Sequence, residues 1–143
     1  MSDIYRPVQH GLSLELPLKD PSQMPALLGL INQVKDTRVF PKLFELRDVH
    51  SARFVPSRDG SALWVITTYD GRLEDYILDF VGVIGDVFTM ILQYIADPPP
   101  LPVARFPREF VAFIVAHNRD IGMWSAYPAT SVIEIQQALA AAT

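Results

Sequence analysis

Imidazole changes charge near neutral pH, so the three histidines are the first residues to weigh for acid–base work or metal ligation. His10, His50 and His117 stand far apart, and no pair has the HxH or HxxxH spacing that brings two rings to one metal. The chain has no cysteine, which removes thiolate metal sites, disulfides and thiol nucleophiles together. The reading is no metal site and no cofactor. His50 opens the extended stretch HSARFV and is the residue best suited to proton transfer. Arg53 in the same stretch supplies a fixed positive charge that would stabilise an enolate or a similar anion. His50 and Arg53 are the candidate catalytic residues. His117 falls near the end of a helical pattern, where it would meet the last carbonyls and the helix dipole.

A second set is defined by strand alternation. Glu15, Arg53, Tyr69 and Tyr127 are read as sharing one face, where they would orient a ligand or form a buried Arg–Glu network. Trp64 adds an aromatic wall, so Glu15, Trp64, Tyr69 and Tyr127 are the candidate ligand-binding residues. Asp79 and Asp86 are seven residues apart. On a helix that is about two turns, roughly 10 Å, too far to share a proton. Ser125 has no nucleophile-elbow context.

The elements that must position these residues follow from periodicity and caps. Leu12, Leu14, Leu16 and Leu18 alternate with other residues, as in a strand with one buried face. Asp20, Pro21 and Gln23 are a helix start, and Met24, Leu27, Leu28, Ile31 and Val34 continue at helical spacing. Val39 to Asp48 reads as a loop or short turn under the sheet. Val49–Val55 and Ala62–Tyr69 read as strands joined through Arg58-Asp59-Gly60. Asp70 is placed to cap a long helix carrying Leu73, Ile77, Phe80, Ile84, Val87 and Ile91, in which Gly82 and Gly85 permit a kink or a close approach. DPPPLP (97–102) is a stiff connector, and Pro107 starts a third helix. MWSAY (123–127) reads as a fourth strand, and Ser131 with Glu134 as the capping box of a last helix.

The expected fold is therefore α+β: a ferredoxin-like βαββαβ sandwich, with a four-stranded antiparallel sheet, helices on one face and an extra C-terminal helix. Residues 1–11, including His10, read as a flexible tail, and 12–143 as one domain. The strands carry apolar residues on both sides, so the face without helices needs cover. A homodimer formed through the sheet is the economical cover.

Composition narrows the function class. The net charge is −4, the pI is near 5.2, and the twelve Lys and Arg are scattered. That is not the footprint of a nucleic-acid binder. The N-terminus lacks the apolar stretch of a signal peptide, and Phe80–Ala96 is interrupted by Asp86 and short for a bilayer, so no membrane span is expected. A cytoplasmic protein is the expectation.

HSARFV, a strand ending in TTYDG, LDF in the following helix, then FVAFIVAHN and WSAYPATSV resemble small ferredoxin-like bacterial modules that accompany haem-peroxidase or catalase-like domains. The likeness runs over most of Val49 to Ile135. At the level of fold the chain is also similar to the dimeric α+β barrel superfamily, which includes small monooxygenases, haem-degrading enzymes and dye-decolourising peroxidases. Haem enters only through this resemblance. Two functions are expected from the residues and the resemblance together. One is a small-molecule-binding or accessory protein, holding an apolar ligand and serving a peroxidase or oxygenase partner. The other is a cofactor-free monooxygenase or isomerase with its pocket between sheet and helices.

Overall fold

A computed structural model describes residues 7–143 of the chain. Strand β1 (Gln9–Pro17) begins earlier than the leucine alternation suggests, and takes in His10 and Gly11. Residues 1–6 of the expected tail lie outside the described residues. β2 (Val49–Pro56) and β3 (Ala62–Asp70) form the hairpin. Gly60 takes φ +75° at its turn, and the Asp59 carboxylate accepts hydrogen bonds from the hydroxyls of Ser61 and Ser57. Those bonds, Ser61's above all, hold the Asp59 carboxyl down at about 2.

The sheet is antiparallel throughout, in the order β1-β3-β2, so the most apolar strand is central. Register puts Leu12, Leu14 and Leu16 beside Thr67, Val65 and Leu63, with Ala52 and Phe54 across on β2. This face meets the helices. Leu27, Ile31 and Val34 of α1 (Met24–Val34) join it, as do Phe80, Ile84, Phe88 and Ile91 of α3 (Leu73–Leu92) and Phe110 and Ile114 of α4 (Pro107–His117), in one buried core. Asp20 accepts the Ser22 N–H to open a short 3₁₀ turn before α1, as its position in the sequence suggests.

Helix α3 kinks at Ile84 (φ −131°). A Cβ on Gly85 would lie 3.4 Å from Val103, so this glycine admits the 3₁₀ turn Val103–Arg105 against the helix. The Thr89 hydroxyl seals the contact by donating to the Gly85 carbonyl and accepting the Val103 N–H. Val39 to Asp48 is more regular than a loop. A π-helical turn, Lys35–Val39, leads from α1 directly into α2 (Phe40–Leu46).

The expected fourth strand is absent among the described residues, where the sheet has three strands, and the ferredoxin-like assignment falls with it. The chain does reach the free edge of β1, but earlier, and with side-chain bonds beside a single bridge. Asn118 makes one isolated bridge with Leu14, and its side-chain oxygen accepts the Ser13 N–H. Arg119 donates its backbone N–H to the Ser13 carbonyl, and Asp120 accepts the Ser13 hydroxyl. Side-chain acceptors take over from the backbone ladder, and the chain turns away at Gly122 (φ +132°). Met123–Tyr127 follows without strand pairing. Helix α5 (Val132–Ala142) has the expected capping box at Ser131 and Glu134, yet buries none of its residues.

Leu63, on the central strand, is fully buried, whereas Leu139 on α5 is 64% exposed. Leu63→Ala is expected to cost about 2–5 kcal/mol of stability, and Leu139→Ala less than about 0.5 kcal/mol. Urea unfolding of the two variants checks this difference.

Candidate functional site

The polar centre of the molecule lies where the start of β2 meets the end of β3. The pairing register jumps between Val49 and Ser51, so His50 sits at a bulge. A bulge re-aims one side chain without ending the strand. Here it brings His50 Nε2 within 2.6 Å of Asp70 Oδ1, with the two side chains only 15% and 12% exposed. The other carboxylate oxygen, Asp70 Oδ2, accepts the Val132 N–H at 2.8 Å. Asp70 was expected to cap the helix that follows it, but Arg72 occupies that cap position, and Asp70 holds the first turn of α5 instead. A carboxylate there meets the positive end of the helix dipole.

Asp48 stands behind this pair and accepts the Asp70 N–H on its backbone carbonyl. It follows Arg47, which ends α2 in the left-handed region (φ 61°) and reaches Gln136 of α5 at 2.8 Å. Asp48 Oδ1 is buried without a hydrogen-bond partner among the described residues. Burial pushes its carboxyl up to about 6, and the charges of Asp79 and Asp70 push the same way. The hydroxyls of Tyr76 and Thr67 are also buried and unpartnered, lying near each other without meeting in hydrogen-bond geometry. Burial raises the Tyr76 phenol to about 12. Tyr69 stacks on Tyr76 with ring centroids 4.5 Å apart, and burial raises its phenol too.

The space behind these groups is small. A cavity of about 20 Å³ lies between sheet and helices, lined by Leu12, Thr67, Tyr76, Phe80, Phe110 and Ile114 among others. That volume accommodates one water molecule. The interior has no room there for a substrate.

The residues expected to form one site are divided. Glu15, Arg53 and Trp64 share the face turned away from the core helices, since Glu15 pairs with Trp64 and Arg53 with Ile66. Glu15 carries an ion pair with Arg119 at 3.5 Å rather than with Arg53. Arg53 is exposed, and its side chain makes no hydrogen bond or ion pair among the described residues. Tyr69 points to the opposite, core face. Tyr127 is 75% exposed in the segment before α5. His10 lies in β1 with its ring 5.8 Å from that of Tyr69. His117 Nδ1 donates to the Phe113 carbonyl at 2.8 Å, the C-terminal role its position implied. Asp86 pairs with Arg38, and Asp79 is near enough to Asp48 to act on its charge.

Sequence reasoning missed Asp70 as the partner of His50, and missed Asp48 and Tyr76 altogether. Twenty residues separate His50 from Asp70, and only the β2–β3 register joins them. Chemically, the pair orients one imidazole and fixes a helix end. Among the described residues no group of three or more His, Asp or Glu side chains is arranged to hold a metal ion.

The raised Asp48 carboxyl has a sign for stability. Its folded value, about 6, exceeds the ordinary 3.8, so between these pH values the folded chain keeps a proton that the unfolded chain has lost. The contribution is complete below pH 3.8 and is lost as the pH rises through about 6. Asp48→Asn is therefore expected to raise stability at pH 7.5 by about 1 kcal/mol, a figure discounted for water at the more exposed oxygen. The gain should vanish near pH 4. Urea unfolding of both proteins from pH 4 to 8 measures it.

Compared with known protein families, with curated proteins and with solved structures, the chain has no match in any of the three.

Proposed function

We infer that this chain is a self-associating binding module that acts through its surface, as an accessory protein rather than as an enzyme with an enclosed active site. One contrast carries the reading: the cavity between sheet and helices has only the volume of one water, while large apolar side chains stay outside. The sheet face without core helices presents Trp64, Ile66 and Val55 on neighbouring strands. Beyond it, Trp124 is 86% exposed and Ile121 fully so. Contiguous apolar surface of this kind marks an interaction site.

Stacking the open sheet on that of a second copy covers Trp64, Ile66 and Val55 twice with one contact. The exposed Ile121–Tyr127 segment is then left for a different partner. An oxidative enzyme, a peroxidase or oxygenase, is the partner class that the sequence resemblance suggests. The His50–Asp70 pair is the feature that favours catalysis, but both side chains are largely buried and the carboxylate is committed to α5. Among the described residues, no helix is long and apolar enough to cross a membrane.

Sedimentation equilibrium of the full chain tests the self-association. The expected mass is twice 16.0 kDa at micromolar concentrations. Val55, 36% exposed on β2, is the residue to change. Val55→Glu should give the single-chain mass, still folded, with an unfolding midpoint that no longer rises with protein concentration, because its charge would be buried only in the paired state. A wild-type chain of single mass up to the highest soluble concentration would overturn the sheet-to-sheet reading.

A further inference from the structure

The helix layer does not reach the outer side of β2. Helix α1 packs beside α3 and buries Leu27 and Ile31 in the core, and the π-helical turn Lys35–Val39 then carries the chain into α2. Helix α2 buries only Leu43, leaving Phe44 74% exposed. Between these helices and β2 runs a cleft of about 380 Å³. Its size is in the range of small-molecule sites. Leu28, Ile31, Phe40 and Phe54 make it apolar, and Ala52 keeps part of its wall low.

The polar residues of the cleft are selective. Lys35, Arg53 and Asn32 line it, and no carboxylate does. Lys35 is held by the exposed Asp36 at 2.8 Å and sits 5.8 Å above the Phe40 ring. Arg53 has no acidic partner among the described residues. In a chain of net charge −4, two cationic residues on an apolar cleft without a facing carboxylate are a local reversal of sign.

We propose that this cleft binds a small amphiphilic carboxylate, with the apolar body of the ligand against Phe40, Phe54, Leu28 and Ile31 and its carboxylate met by Arg53 and Lys35. Guanidinium and ammonium groups give such an anion charge-assisted hydrogen bonds, and Asn32 offers an amide donor beside them. An added peptide strand is the less favoured occupant. β2 is an edge strand, but it carries Arg53 and ends in Pro56, two features that discourage strand addition. Ala52 and Phe54 lie on the core face of β2, whereas Arg53 shares the other face with Val55 and meets the cleft at the free edge of the strand. Val55 does not line the cleft, so Val55→Glu separates the two readings: it should abolish pairing and leave decanoate binding intact.

The test is calorimetric titration of the full chain with decanoate, beside decanol and decyltrimethylammonium as uncharged and cationic probes of the same tail length. Decanoate is expected to saturate at one per chain and to bind about tenfold tighter than either comparison probe. Arg53→Gln and Lys35→Gln should each weaken it by several-fold to about tenfold, and Ala52→Trp should abolish it by filling the cleft. Leu139→Ala should leave it unchanged. Amide chemical shifts of the wild-type protein should move at Leu28, Ile31, Phe40, Ala52 and Phe54, which locates the ligand even where a variant folds poorly. Equal binding of the cationic probe, no saturable binding, shifts confined to other residues, or binding of an acidic, leucine-rich peptide without binding of decanoate would each overturn the proposal.

Discussion

A three-stranded sheet that receives its core helices on one side leaves its other side to be dealt with, and much of this molecule follows from that constraint. β3 is apolar in both phases of its alternation: Leu63 and Val65 look inward, Trp64 and Ile66 outward. Flanked on both sides, it cannot relieve the outward residues by moving to an edge. The inward row is satisfied by one dense core from Leu12 to Ile114. The outward row is only half-buried, and the C-terminal segment runs along one margin of that face, where Asp120 lies against Gly11 and Ser13. Gly11 leaves room for the Asp120 carboxylate, which a Cβ there would approach within 2.5 Å and push away from Ser13.

That C-terminal segment is secured by polar contacts rather than by packing. Asn118, Asp120, Gln9, Asp70 and Arg47 provide its hydrogen bonds, while α5 buries no side chain. Hydrogen bonds of this kind contribute about 0.5–1.5 kcal/mol each and depend on geometry, so they fix position more than they supply stability. Asp70 is the hinge of the arrangement. One carboxylate joins a bulge in β2, the end of β3 and the first turn of α5, and its charge is one of the reasons the neighbouring Asp48 holds its proton more strongly. The cost of gathering carboxylates is accepted at a place where no apolar side chain would serve the same three contacts.

What the sequence makes legible is local. The leucine alternation of β1, the Asp20 start of the first helical segment, the Asp59-Gly60 turn and the Ser131–Glu134 box each depend on residues within a few positions of one another. Errors begin where two separated segments must be aligned. Alternation places Arg53 with Ser51 and Tyr69 with Thr67 correctly within their own strands. It does not say which phase of β2 matches which phase of β3, and joining Arg53 to Tyr69 chooses the wrong one. The MWSAY segment has strand-like composition, but the edge of β1 is already engaged by the side-chain acceptors of Asn118 and Asp120 and by the backbone N–H of Arg119, which stand in place of a ladder. The His50–Asp70 pair was hidden for the same reason, because it exists only through register and a bulge. The π-helical turn is a subtler case: nothing in KDTRV announces a wider helix.

The buried hydroxyls of Thr67 and Tyr76 argue in the same direction as the cavity beside them. An enzyme that used this interior would converge polar groups on a space large enough for a reacting molecule. Here the hydroxyls of Thr67 and Tyr76 have no partner among the described residues, and the cavity their residues line has only the volume of one water and walls that are almost wholly apolar. The larger openings lie at the margins of the helix layer, one beside β2 and another around His10, Tyr69 and Leu73. The first is cationic and walled by aromatic side chains, whereas the Tyr69 side of the second lies toward Asp120, whose charge helps to raise that phenol. A sheet too apolar to stay wholly open, together with helices too few to close its edge, leaves the larger openings at the surface and the interior to packing.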